Sequence, residues 1–197
     1  MELMKLIDKF FIKILKRYKK QILSLYEKDK RNRAKKLFDS IPKKGPNSKF
    51  YGNELFISDI QRIVIGENVH FGNDISIFSE GGLEIGDNTH IESNVLISTT
   101  EPDFHSDVLP VGPGKIFKKV IIGKNVWIGK NVCIEPGTEI GEGAVIKMGT
   151  TVSGIIPALT IIGPAKSEKI GSRKEENYVE IENQKRYGIP EGRIYKG

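Results

Sequence analysis

A chain of 197 residues is long enough to bury a core unaided, and its single cysteine, Cys133, excludes an intramolecular disulfide framework. The net charge of +6 is unevenly placed: residues 1–50 hold 16 Lys/Arg against 5 Asp/Glu, and the remainder holds 15 against 20. The basic character therefore belongs to the N-terminal segment, which argues against nucleic acid as a partner of the rest of the chain. No stretch reaches the ~18 apolar residues of a membrane span.

The chain opens with MELMKLIDKFFIKILKRYKK, whose apolar residues are interrupted by lysines too often for a signal-peptide core. The expected location is cytoplasmic. Met4, Ile7, Phe11, Ile14, Tyr18, Ile22 and Leu25 step by three and four, which predicts an amphipathic helix within a basic segment 1–48. Two roles stay open for it: docking on its own assembly, or contact with an anionic membrane surface through residues 1–30.

From Ile65 a period of six takes over. Hexads begin at 65, 71, 77, 85, 91 and 97, and again at 122, 128, 134, 140, 146 and 152. The first position is always large and apolar. The fourth reads Asn68, Asp74, Asn88, Asn94, Asn125, Asn131, Gly137, Gly143 and Gly149, the residue types that best tolerate a left-handed backbone. Each hexad is thus expected to make a short strand and one corner, so that stacked coils bury the first-position column. The fold expected over 49–165 is an all-β parallel β-helix with an N-terminal α-helical segment.

Three hexads break the corner rule. Glu80 occupies one corner slot and is followed by two extra residues. Thr100 occupies another, and the frame then jumps 25 residues from Ile97 to Ile122. Ile155 occupies the third, with Pro157 expected to end the pattern. Groups that bind ligands project from loops on a rigid scaffold, so the extruded loop 100–121 is the first place to seek a site. Its Pro102, Pro110, Gly112, Pro113 and Gly114 exclude helix and central strand. It carries His105 between Asp103 and Asp107, a spacing that suits either an oriented general base or an exposed loop histidine.

His70 and His90 take the sixth hexad position one coil apart and face outward. They could ligate a metal with a third group, but no carboxylate stands at ligand spacing, and a surface pair is the simpler reading. No metal is expected. Trp127 shares that outward position, as an interface residue or a platform for a sugar or cofactor. Cys133 follows one hexad later without a nearby histidine. Lys124, Lys130, Lys147 and Lys166 could seat a polyphosphate or be ordinary solvated charges. Residues 166–197 read as a polar tail with one short helix and an extended end.

The hexads, the VIIGKNVWIG stretch after a histidine-bearing loop, and the terminal IIGPAKSEKI together resemble the hexapeptide-repeat acyltransferases, closest to their sugar and capsular polysaccharide O-acetyltransferase branch. The resemblance covers about residues 57–170. It implies a left-handed β-helix, a homotrimer, and acetyl-CoA as co-substrate in the groove between neighbouring subunits. His105 would be the general base, with Asp103 and Asp107 as the candidates to orient it. Glu80 and Trp127 are the substrate-binding candidates, and Trp127, Gly129, Lys147, Gly149 and Lys166 the cofactor-binding ones. The chain departs from the family where it reads Gly163-Pro164-Ala165-Lys166, one residue short of the usual motif, and where Ser153-Gly154 replaces a Thr-Lys pair. The implied activity is acetyl transfer to a hydroxyl of a sugar or surface polysaccharide. N-acetylation of an amino-sugar nucleotide or antibiotic is the alternative, followed by a γ-carbonic-anhydrase-like metal enzyme and a non-catalytic scaffold.

Overall fold

Large apolar residues at every sixth position and a corner between them leave the chain one economical way to bury them: coils of three short strands. The computed structural model describes residues 2–165, 172, 174–184, 186–188 and 194–196. Within residues 1–164, one compact unit, the chain winds through about six coils whose strands stack into three parallel sheets. The first sheet runs Lys43–Lys44, Ile63–Ile65, Leu83–Ile85, Val120–Ile122, Glu139–Ile140 and Ile155–Ile156. The second holds Lys49–Phe50, His70–Phe71, His90–Ile91, Trp127–Ile128, Val145–Ile146 and Ile161–Ile162. The third holds Leu55–Ile57, Ile75–Phe78, Val95–Ser98, Cys133–Ile134 and Thr151–Val152.

Register makes the core a set of columns. Ile65, Ile85, Ile122, Ile140 and Ile156 pair in sequence on the first face. Phe71, Ile91, Ile128, Ile146 and Ile162 do so on the second, and Ile57, Ile77, Ile97, Ile134 and Val152 on the third. Full burial of each such side chain contributes roughly 1.5–3 kcal/mol before ordering costs. The fifth hexad position is also inward. Where it is threonine the hydroxyl finds a carbonyl: Thr89 donates to Gly123 O at 2.8 Å, Thr138 to Glu135 O and Thr150 to Lys147 O, both at 2.6 Å. Buried hydroxyls are satisfied without interrupting the columns.

All nine corner residues of the hexad rule have positive φ, from 55° at Asn68 to 81° at Gly137. The breaks resolve by substitution of the corner residue. Gly82 (φ 98°) turns the corner that Glu80 misses, and Gly154 (φ 69°) the one that Ile155 misses. The pattern does not end at Pro157. It restarts two residues out of phase at Ile156 and continues to Ile162, with Leu159 at φ 61° in the corner slot.

From Ile57 onward, every departure from six falls at the corner between the third face and the first. The step is 8 residues from Ile57 to Ile65 and from Ile77 to Ile85, 25 from Ile97 to Ile122, and 4 from Val152 to Ile156. The other two corners keep strict time.

Helix α1 spans Glu2–Asp39. Among its described side chains, those that enter the core lie at its C-terminal end: Phe38 is buried, edge-on to Phe71 at 5.3 Å and tilted against Phe50 at 6.1 Å. A stack of coils leaves apolar side chains bare at its ends, and Phe38 with Ile41 covers this one. Lys30 pairs with Glu54, and Arg31 Nε donates to Asn53 Oδ1 at 2.9 Å, fixing the last turns on the first coil. Residues 165–197 form a second unit, whose described parts are α2 (Glu175–Asn183) and an antiparallel pair, Arg186–Gly188 with Ile194–Lys196.

Candidate active site

The loop opens as a hairpin at the irregular corner. Thr100–Pro102 pairs antiparallel with Lys115–Phe117, and Asp103 N donates to Gly114 O at 3.2 Å. Pro102 is tolerated because a two-stranded ribbon has two edges. Buried Thr99 anchors the base: its hydroxyl donates to Phe78 O and accepts from Gly81 N, at 2.8 and 2.7 Å. Two ion pairs tie the returning limb down, Lys118 to Glu101 at 2.6 Å and Lys115 to Glu80 at 3.6 Å. A cleft of about 420 Å³ lies beside the hairpin, bounded by Phe78, Ser98, Thr100–Pro102 and Val111–Lys115.

His105 stands exposed at the tip of this arm, between exposed Phe104 and half-buried Ser106. Asp103 Oδ1 accepts the backbone N–H of His105 at 3.0 Å, so that carboxylate shapes the turn presenting the ring. Asp107 is exposed on the same turn.

Glu80 sits beneath the arm. One carboxylate oxygen faces Lys115; the other, Oε2, is buried without a hydrogen-bond partner. Its own backbone N–H holds the carboxyl below the ordinary range, helped by the Ser58 hydroxyl and Lys115 and opposed by desolvation. Glu80 Oε2 is thus an ionised oxygen without a protein donor beside the irregular corner.

The cofactor candidates cluster elsewhere. Trp127 lies on the second face, 38% exposed and in register with His90. Gly129 lies just beyond it, and Lys147 and Gly149 lie one coil further, all at the corner between second and third faces. Gly129 is backed by the next coil: a Cβ there would meet Met148 N at 2.6 Å. Lys147 and Gly149 are exposed, and Lys147 flanks Gly163. Lys166 lies outside the described residues. The third face therefore separates His105 from Trp127, Gly129, Lys147 and Gly149 in one chain.

The outward column of the second face is aromatic. Tyr51 meets His70 edge-on at 5.6 Å, and His70 stacks on His90 at 4.7 Å. Burial, His90 and Lys49 lower the His70 pKa. His105 belongs to another corner, and no group of three His, Cys, Asp or Glu among the described residues is placed to hold a metal ion.

Sequence reasoning missed Ser98, Phe78, Glu101 and Lys115 as walls of the cleft. The available signal was the step count, because from Ile57 onward the irregular steps point to one corner and these residues flank its largest insertion.

A family model for the bacterial transferase hexapeptide (six repeats) matches residues 119–154, and one for the hexapeptide repeat of succinyl-transferase matches residues 62–99. Among solved structures, a point mutant of AntD, an N-acyltransferase from Bacillus cereus in complex with dTDP-4-amino-4,6-dideoxyglucose and coenzyme A, is 26% identical. The match covers 71% of this chain and 87% of that one, with a TM-score of 0.51. AntD in complex with dTDP and 3-hydroxybutyryl-CoA is also 26% identical, over 71% of this chain and 76% of that one, at a TM-score of 0.51. The hexapeptide-repeat acetyltransferase VCA0836 from Vibrio cholerae shares the fold at 20% identity, over 76% and 94% of the two chains, with a TM-score of 0.56. No curated protein matches the chain significantly. Repeat, corners, coils and models agree: this chain is a hexapeptide-repeat protein with the left-handed β-helix fold of the hexapeptide acyltransferases.

Proposed function

We propose that this protein transfers an acyl group, acetyl in the simplest case, from acyl-CoA to a hydroxyl of a sugar or surface polysaccharide. The observation that carries this reading is His105, presented on a braced arm at the corner that takes the largest insertion of the repeat. His105 removes the acceptor proton, and the freed oxygen attacks the thioester carbonyl. The tetrahedral intermediate collapses by breaking the C–S bond, and the imidazolium returns its proton to the departing thiolate. A backbone N–H near the reacting carbonyl would steady the oxyanion. Glu80 Oε2 is assigned to the acceptor, and Trp127, Gly129, Lys147, Gly149 and Lys166 to the cofactor.

One chain keeps these two groups on separate corners. A neighbouring copy that sets its second-to-third corner against this arm would complete the site, which supports the homotrimer and a cofactor groove between subunits. The 26% identical AntD, bound to coenzyme A and a sugar nucleotide, supports CoA chemistry on a sugar. Because AntD is an N-acyltransferase, it supports equally a second reading, transfer to the amine of an amino-sugar nucleotide.

The test is CoA release from acetyl-CoA across a panel of hydroxyl and amine acceptors, with wild type and His105→Ala. General-base removal is expected to cost about 10²–10⁴-fold. Near-normal turnover by a folded His105→Ala variant rules out the assigned base, and turnover confined to amines selects the second reading.

A further inference from the structure

Helix α1 carries two different faces. Glu27, Lys30, Ala34 and Phe38 step by three and four along the line that docks: Ala34 and Phe38 are buried, Lys30 pairs with Glu54, and Glu27 accepts from Asn53. Followed toward the N-terminus, that line reads Leu23, Lys20 and Lys16, mostly cationic. The larger apolar residues keep a separate line, Leu15, Tyr18, Ile22 and Leu25, about a third of a turn away. They are far from buried: Leu15 is 65% exposed, Ile22 64% and Leu25 66%. The stripe is therefore not an extension of the docking face.

Charge selects what covers it. Residues 9–26 contain six Lys/Arg and no Asp or Glu. A bundle of α1 copies would hold these cations beside one another with no acidic side chain to pair them, the reverse of the flanks that stabilise coiled coils. A nucleic acid would meet the charges and leave the apolar line in water. An anionic bilayer surface meets both, with acyl chains against the stripe and lipid phosphates against the lysines. Among the described residues no helix is long and apolar enough to cross a membrane, whereas a stripe with cationic flanks suits a helix lying in the interface.

We propose that residues 12–26 of α1 bind an anionic lipid surface, lying in its plane and holding the β-helix beside it. The docked end of α1 transmits the attachment, and the acyl-transfer site takes no part in it.

The test is flotation of the full-length protein with vesicles of phosphatidylcholine alone and of phosphatidylcholine mixed equally with phosphatidylglycerol. Binding to the anionic vesicles is expected to exceed binding to the neutral ones by at least about tenfold and to weaken with added salt. Leu15→Glu with Ile22→Glu should abolish binding, while Lys16→Gln, Lys19→Gln and Lys20→Gln together should weaken it about tenfold or more. Both variants should keep the wild-type melting temperature, since these side chains are exposed. Equal binding to both vesicle types, or none, overturns the proposal. So does a Leu15→Glu, Ile22→Glu protein that still floats, or one whose only change is a smaller oligomer in sedimentation, which would make the stripe a contact between copies.

Discussion

The imidazole rings of His70 and His90 lie face to face on adjacent coils, with centroids 4.7 Å apart and planes 16° from parallel. Burial, the His90 ring and Lys49 all disfavour a proton on His70, whose pKa lies below its ordinary 6.5. Tyr51 is the third ring in contact, edge-on to His70 at 5.6 Å. Between the folded pKa and about 6.5 the unfolded chain binds more protons, so stability rises with pH through that window. It is complete above about 6.5 and declines as pH falls below it. Thermal melts at about pH 7.5 and about pH 5.5 should show the acid loss, and His70→Gln should reduce it. An undiminished loss in His70→Gln would move the cause to other groups.

The corners make a second prediction, about stability. Asn131 turns from the second face to the third at φ 56° with its side chain exposed, so its contribution is conformational. Asn131→Gly should stay within a few tenths of a kcal/mol of wild type, while Asn131→Val should cost about 1–2 kcal/mol. Urea denaturation with an unchanged m-value would measure both. Equal midpoints for the two variants would mean that the corner has relaxed out of the left-handed region.

The same corners explain how much was legible beforehand. Asn68, Asp74 and the seven others share a backbone requirement that few residue types meet, so a local rule marked them and the coil followed. The continuation past Pro157 was missed because Leu159 is a poor residue for φ 61°; stacking under the previous coil overrides its preference. His105 was legible as the only histidine in the arm, and His70 with His90 as a pair one coil apart. The cleft was not, since Phe78, Ser98 and Lys115 come together through hairpin pairing that has no period. Nor could the period say that His105 and Trp127 face different corners, because that depends on which corner each hexad turns.

Glu80 and Lys115 separate two roles for the ion pair beneath the arm. If Glu80 Oε2 binds the acceptor, Glu80→Gln should raise the acceptor KM about tenfold, consistent with a lost charged hydrogen bond of roughly 1.5–3 kcal/mol. Lys115→Ala should then have a smaller effect, because a 3.6 Å pair whose ammonium is exposed is worth little by itself. If the pair serves only to brace the arm, the two variants should lower kcat alike and the double variant should add nothing. Steady-state kinetics on the four proteins decides between them.

Trp127 gives the most direct test of the cofactor edge, because it is the sole tryptophan and is 38% exposed beside His90. A CoA thioester lying along that corner would cover the indole and change its fluorescence on titration, without any acceptor present. Trp127→Ala should raise the KM for acetyl-CoA about fivefold, the equivalent of about 1 kcal/mol of lost ring contact, and leave kcat near wild type. Lys147→Ala should weaken CoA more than dephospho-CoA if its ammonium meets the 3′-phosphate. If His105 is the base and Trp127 meets the cofactor, His105→Ala should keep the fluorescence response while losing turnover, since the two residues are separate in each chain. An indole signal indifferent to CoA, with an unchanged KM in Trp127→Ala, would place the cofactor on another corner of the prism.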